Sequence, residues 1–171
     1  TMAERVLTEQ IPHGPISIGF TPDEEVGRGA DHFDIEKFDA DFAYTMDGDT
    51  EGEIQYENFN AADAIFEIQG VNVHPGSAKD VMVNAALVAM EINAALPCGE
   101  TPADTEDYEG FYHLVSMSGD VACAKLHYIV RDHDADKFAA RLETLKEISK
   151  QMNLKWGFGT VKLRSEERRV G

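Results

Sequence analysis

The sequence predicts an α/β protein in two parts: a partial parallel sheet within residues 1–58 and a ferredoxin-like α+β domain over residues 59–164. Two strand-like runs in the first part are joined by a helical crossover, which favours parallel pairing. The second part has the order strand, helix, strand, strand, helix, strand, which is typical of an antiparallel sheet with both helices on one face. Residues 165–171 have no apolar periodicity and are expected to form a tail outside this fold.

The first part contains a helical segment at residues 1–10, which begins without an evident N-cap. Residues 16–20 alternate between apolar and small residues and predict a strand. This strand should stop before Pro22, because proline has no N–H to donate to a sheet. Short helical turns are expected within residues 29–38, and residues 42–46 predict a second strand.

The second part opens with a predicted strand at residues 64–68. An alanine-rich helix is expected from about 80 to 96, with Ser77 and Asp80 in the pattern of a capping box and Pro97 as its stop. Residues 111–117 and 124–130 predict a hairpin of two strands. A second helix is expected to begin after Asp134 and reach about residue 152, and residues 159–163 predict the last strand. The apolar face of this second helix is formed by Phe138, Leu142, Leu145, Ile148 and Met152.

Charge and composition exclude several classes of function. The net charge of −17 argues against a nucleic-acid partner, because phosphates would be repelled. No apolar run approaches the roughly 20 residues of a membrane-spanning helix. Cys98 and Cys123 lie far apart without a CxxC pattern, which indicates two free thiols and a cytoplasmic location.

Acidic residues follow both predicted strands of the first part. Asp23, Glu24 and Glu25 stand in a row after the first strand, and Asp47 follows the second. Neighbouring carboxylates repel one another unless a cation lies among them. Because ligands gather at the carboxyl ends of parallel strands, we expect Glu24, Glu25 and Asp47 to converge on a metal site. The alternative is a solvated acidic turn.

Two motifs are distinctive in this sequence. One is the run Thr21-Pro22-Asp23-Glu24-Glu25, followed by Gly27, Gly29 and Ala30, and the other is Asn72-Val73-His74-Pro75-Gly76. Together with residues 44–48, 58–62, 82–85, 108–114 and 128–132, they resemble segments of the peptidase T family in order and spacing. Members of this family are dinuclear zinc aminotripeptidases within a wider group of two-zinc exopeptidases and deacylases. The resemblance covers roughly residues 11–163.

This resemblance implies that residues 1–58 are the C-terminal part of a zinc-peptidase catalytic segment and that residues 59–164 are a lid or dimerisation domain. The implied enzyme is a homodimer that binds two Zn2+ ions per subunit and releases the N-terminal residue from tripeptides. By resemblance, Glu24 is the general base, Glu25 is a zinc ligand and Asp47 is a ligand of the second zinc ion.

Three residues of the second part also match functional positions of the family. His74 would polarise the scissile carbonyl in the partner subunit's active site, Arg131 would grip the substrate carboxylate, and Asn84 would bind substrate. Each also has a plainer interpretation: a surface histidine in a loop, a solvated arginine beside Asp132, and an amide on a helix surface.

The family's site also needs a histidine with a bridging aspartate upstream and a second histidine downstream, and these 171 residues contain no counterpart of either. The resemblance therefore implies a fragment without a closed two-zinc centre, which is expected to be inactive alone. A related two-zinc carboxypeptidase or deacylase and a non-catalytic dimerisation module are the alternatives. The run at residues 105–114 favours the peptidase T branch.

Overall fold

The computed structural model describes residues 1–26, 28–46 and 50–169, and the chain divides into two compact units, Thr1–Gln55 and Tyr56–Gly171. The first unit contains helix α1 (Met2–Thr8), a 3-10 turn (Glu24–Val26) and helix α2 (Ile35–Phe38). The expectation that the first helix lacks a cap was wrong. The Thr1 hydroxyl accepts a hydrogen bond from the Glu4 backbone N–H, and the Glu4 side chain completes a capping box.

The parallel strand pair expected in the first unit is not present in its described residues: residues 16–20 and 42–46 are not paired in a sheet. Phe20 is 91% exposed and Tyr44 is 73% exposed. No described residue of this unit is buried. Apolar alternation signals a strand only when a neighbouring strand and a packed face are available, and two short strands alone are marginal in water.

The second unit confirms the ferredoxin-like α+β prediction. Its strands are β1 (Asn60–Gln69), β2 (Phe111–Gly119), β3 (Cys123–Asp132) and β4 (Val161–Arg169), and its helices are α3 (Ala85–Ala94) and α4 (Ala135–Trp156). The sheet order is β2-β3-β1-β4, and every neighbouring pair is antiparallel. β4 continues past the expected end at residue 163, because its backbone pairs with β1 as far as Arg169 opposite Asn60. Backbone pairing of this kind does not depend on apolar periodicity.

The core of the second unit lies between one face of the sheet and the two helices. Alternate residues of β1 face the helices, and the apolar stripe predicted for α4 is buried against them. Phe66 and Tyr128 meet edge to face at 6.1 Å. Burial raises the pKa of Tyr128 to about 12, and its hydroxyl donates to Asn93 Oδ1 at 2.9 Å. A buried hydroxyl therefore keeps a partner inside this core.

Helix α3 begins at Ala85 rather than near residue 80, so the predicted capping box of Ser77 and Asp80 was wrong. Asp80 has φ = 62°, a left-handed conformation that a helix interior does not allow. Ser77 closes a 3-10 turn over Pro75–Ser77, and Asn84 is the N-cap of α3. Within the described residues, no helix is long and apolar enough to cross a membrane.

Candidate functional site

The acidic turn of the first unit holds two adjacent glutamates in a 3-10 turn. The Arg28 N–H donates to the Asp23 carbonyl at 3.0 Å and closes the turn, while Asp23 itself has φ = 62°. Both Glu24 and Glu25 are exposed. Neither carboxylate makes a hydrogen bond or ion pair to another described residue. They are solvated acids, available for a ligand or a proton.

The predicted metal ligands do not form a centre within the described part of the chain. Asp47, one of the two, lies outside the described residues. Among residues 1–26, 28–46 and 50–169, no group of three or more histidine, cysteine, aspartate or glutamate side chains could hold a metal ion. A catalytic zinc site ordinarily takes three protein ligands plus water. The described residues alone do not fit such a centre.

His74 lies in a loop that leaves the end of β1 and returns to α3. The neck of this loop is closed by two hydrogen bonds between Val71 and Val83, at 2.8 and 3.1 Å. Gly70, at the neck, approaches the β2–β3 turn so closely that a Cβ there would lie 2.4 Å from the Val121 carbonyl oxygen. A glycine is therefore required at this position, and it fixes the root of the His74 loop to the sheet.

The His74 imidazole is oriented by the backbone that follows it. The Gly76 N–H donates to His74 Nδ1 at 3.1 Å, and the Ser77 N–H donates to the His74 carbonyl at 2.8 Å. Because Nδ1 accepts, the neutral ring must carry its proton on Nε2. The ring is exposed. It can therefore offer an Nε2–H donor to a carbonyl oxygen outside its own loop.

Asn84 has a structural role in this unit. Its Oδ1 accepts hydrogen bonds from the Ala86 and Leu87 backbone N–H groups, at 3.1 and 3.3 Å, and so caps α3. The cap occupies the carbonyl end of the amide. The two N–H donors of the side chain remain for a ligand, so capping and substrate binding are compatible.

Arg131 lies on the sheet face opposite the helices, near the end of β3. Its guanidinium carbon is 4.4 Å from the centre of the Phe59 ring, a cation–π contact. Arg131 makes no ion pair with the described residues, and its buried Nε has no hydrogen-bond partner among them. Asp132, the next residue in the sequence, pairs with Arg141 and not with Arg131. The Arg131 charge is thus left available for an external carboxylate.

The sheet holds His74 and Arg131 near opposite ends. Arg131 pairs with Ala61 at the start of β1, whereas His74 follows the last residue of β1. The ten residues of β1 span about 30 Å, so the two residues are attached at opposite ends of this strand.

Sequence analysis missed a buried ionic cluster beside Arg131. The Arg141 Nε donates to Asp132 Oδ2 at 2.8 Å, and Arg141 also pairs with Glu100. Gly110 packs directly on this pair, since a Cβ there would lie 2.1 Å from Asp132 Oδ2. The sequence did contain a signal for this cluster. Side chains alternate between the two faces of β3, so Asp132 lies on the same inward face as Val130. A buried carboxylate needs a partner there.

Comparisons with known proteins agree with this fold. Residues 56–157 match the family model described as a peptidase dimerisation domain. The chain is 53% identical over 158 residues to peptidase T of Clostridium novyi, covering 92% of this chain and 39% of that protein. It is 58% identical over 144 residues to peptidase T of Staphylococcus saprophyticus, covering 84% of this chain and 35% of that protein. The chain thus spans well under half the length of these relatives.

Solved structures show the same similarity. A crystal structure of the aminopeptidase PepT from Bacillus cereus superimposes with a TM-score of 0.78 at 25% identity, covering 96% of this chain and 44% of that one. A tripeptidase from Staphylococcus aureus shares the fold with a TM-score of 0.70 at 18% identity, over 96% of this chain and 44% of that one. From the match over residues 56–157, this chain belongs to the peptidase dimerisation domain family.

Proposed function

We propose that this chain is part of a peptidase T-like aminopeptidase that releases the N-terminal residue from tripeptides. One observation carries the proposal: identity of 53–58% to proteins named peptidase T over 84–92% of the chain. Within such an enzyme the second unit acts as the lid and dimerisation domain, in keeping with its family match. The first unit contributes part of the catalytic domain.

The proposed roles follow the resemblance to the peptidase T family. Glu24 acts as general base. Glu25 and Asp47 each contribute a ligand to a two-zinc centre whose other ligands lie outside this chain. His74 donates its Nε2–H to the scissile carbonyl, Arg131 binds the peptide carboxylate, and Asn84 donates its amide N–H groups to substrate. The orientation of His74 and the unpaired charge of Arg131 support the roles of these two residues.

The separation of His74 from Arg131 supports a homodimer. Because the two residues are attached at opposite ends of β1, a dimer in which each lid serves two active sites would supply both to one tripeptide. The second unit also has a surface suited to self-association: β2 is an edge strand of the sheet and carries exposed apolar side chains, as does α3. These exposed side chains are Leu87, Met90, Val115 and Met117.

The test is an assay of the complete protein that contains this chain. We expect it to release the N-terminal residue from a tripeptide such as Leu-Gly-Gly and to leave an N-acetyl amino acid intact. His74→Ala should lower kcat about 100-fold with little change in KM, because a donor to the developing oxyanion contributes about 3 kcal/mol. His113→Ala, at another exposed histidine, is the control. Hydrolysis of the N-acetyl amino acid alone would favour a deacylase and overturn the tripeptidase proposal.

A dimerisation module is the second candidate for the 171-residue chain by itself. The family match to residues 56–157 favours it. Sedimentation equilibrium with zinc analysis should then give a dimer without stoichiometric zinc.

We also propose a cytoplasmic location, which is consistent with Cys98 and Cys123 being free and exposed thiols.

A further inference from the structure

A shallow cleft of about 310 Å3, open to solvent, lies in the second unit next to the aromatic ring that supports Arg131. It is lined by Tyr56, Glu57, Asn58, Tyr108 and His133. Tyr108 belongs to the 105–114 run, which distinguished the family branch in the sequence but has no role in the chemistry proposed above. The cleft gives this run a candidate function.

Three side-chain contacts hold the walls of the cleft in place. The Tyr108 hydroxyl donates to Glu57 Oε2 at 2.5 Å, which joins the loop before β2 to the segment before β1. The His133 ring meets the Tyr108 ring edge to face at 5.0 Å. The His133 ring also meets the Phe59 ring edge to face, at 6.1 Å. The wall residues therefore form a connected set that ends at the ring under Arg131.

The loop carrying Tyr108 is also anchored to the interior of the unit. Glu100, near the start of this loop, pairs with Arg141, and its carbonyl accepts from the Tyr112 N–H at 2.9 Å. Gly110, just after Tyr108, packs against Asp132, which is 1% exposed. Both ends of the loop are thus fixed to one buried cluster, and the position of Tyr108 is determined by that cluster.

The chemistry of the cleft suits a cation. Glu57 presents a carboxylate that can accept more hydrogen bonds than the one from Tyr108. The hydrogen bond to Glu57 and the nearby negative charge raise the pKa of Tyr108, so its hydroxyl stays protonated and continues to donate. The faces of Tyr56 and Tyr108 can contact an ammonium or guanidinium group, and the lining contains no lysine or arginine to compete. A carboxylate beside aromatic rings is a favourable site for a basic side chain.

Opposite charges therefore flank one aromatic support. Arg131, stacked on Phe59, is available for a carboxylate, and the cleft beyond Phe59 and His133 offers the carboxylate of Glu57. A peptide that ends in lysine or arginine carries matching groups, namely a terminal carboxylate and a cationic side chain on one residue.

We propose that this cleft is the subsite for the side chain of the peptide's C-terminal residue and that it selects lysine or arginine. This inference rests on the proposed function, because it assigns Arg131 to the peptide carboxylate. It adds a preference within the tripeptide class, with Glu57 as the residue that determines specificity.

The test uses the 171-residue chain itself and needs no peptidase activity. Three small ligands that mimic a C-terminal residue are titrated by NMR: Nα-acetyl-lysine, Nα-acetyl-norleucine and Nα-acetyl-glutamate. We expect Nα-acetyl-lysine to bind about tenfold more tightly than the other two, the size of effect typical of one charge-assisted hydrogen bond. Its binding should shift the ring resonances of Tyr108 and His133.

Variants separate the charge from the fold. Glu57→Gln keeps the shape of the side chain and should remove the preference for Nα-acetyl-lysine. Glu106→Gln, at an exposed carboxylate of the same loop that does not line the cleft, should retain it. Tyr108→Phe keeps the ring but loses the hydrogen bond to Glu57, and should weaken the preference in part.

Equal affinity for the three ligands, or no ring shifts with any of them, would overturn the inference. The subsite and the proposed tripeptidase function can be refuted by different results. If the complete protein cleaves tripeptides without regard to the third residue, the tripeptidase stands and the subsite is lost. If the cleft selects Nα-acetyl-lysine but the complete protein cleaves no tripeptide, a binding site for basic residues stands and its assignment to a tripeptidase is lost.

Discussion

Replacing Asp132 with alanine should destabilise the second unit by about 3–5 kcal/mol, the range for breaking a buried ion pair from one side. The Asp132 side chain is fully buried and that of Arg141 is 14% exposed, so solvent screens this pair little. The substitution leaves Arg141 with Glu100, which is 38% exposed, as its remaining carboxylate. It also removes the Oδ1 acceptor of the Asp134 N–H, a 3.0 Å bond at the start of α4.

Urea unfolding followed by tryptophan fluorescence measures this loss directly. Trp156 is the single tryptophan of the chain and lies at the end of α4, where its indole N–H donates to Glu91 at 3.0 Å. A loss of 3–5 kcal/mol should lower the urea midpoint by about 2 M. Glu143→Ala is the matched control, because it removes an exposed ion pair with Lys146 and should cost at most about 1 kcal/mol.

A second variant keeps the reasoning testable if Asp132→Ala does not fold. The double substitution Asp132→Asn with Arg141→Met removes both charges of the buried pair, and it should be more stable than Asp132→Ala, which leaves Arg141 without its buried carboxylate. If Asp132→Ala instead costs less than 1 kcal/mol, as Glu143→Ala should, the cluster of Asp132, Arg141 and Glu100 does not stabilise the unit.

Two further predictions concern pH and proteolysis. Hydrogen bonds from the Lys137 and Asp136 backbones lower the pKa of Asp134 below its ordinary 3.8, so the cap's contribution is complete above that value and is lost as the pH falls through the folded pKa. Asparagine at position 134 can still cap α4 but does not titrate. Urea unfolding at several pH values should therefore show a smaller decrease in the free energy of unfolding at acid pH for Asp134→Asn than for the unsubstituted chain; an unchanged pH profile would contradict this. Brief subtilisin digestion with mass spectrometry should cleave residues 1–55 first, because no described residue there is buried, and spare residues 56–169; early cuts within the sheet would contradict it.

The fold of the second unit was largely predictable because its signals are local and agree with one another. The apolar stripe of α4 and its cap at Asp134 both appear as predicted. The start of α3 could not be predicted from such local signals. Ser77 and Asp80 have the right residue types and spacing for a capping box, but Asp80 adopts a left-handed conformation and Asn84 takes the cap instead. Ser77, Asp80 and Asn84 all have side chains that can cap a helix, so residue type alone does not identify the start of α3.

The first unit shows the opposite case. Residues 16–20 and 42–46 carry strand-like patterns, yet their side chains stay exposed and their backbones are unpaired. Strand formation depends on partners that a local pattern does not specify, whereas a helix makes its hydrogen bonds internally. The candidate residues Glu24 and Glu25 were identified by residue type and resemblance. Their convergence with Asp47 stays a prediction.

Arg131 and Asp132 are consecutive residues of β3 whose side chains lie on opposite faces of the sheet. The two-residue period of β3 turns Asp132 toward α4, where it is neutralised by Arg141, and turns Arg131 to the opposite face, where its charge has no carboxylate partner in the described residues. Because Asp132 is satisfied by Arg141, it does not compete for Arg131. Substitutions at 132 should therefore act on the free energy of unfolding, and substitutions at 131 on ligand affinity.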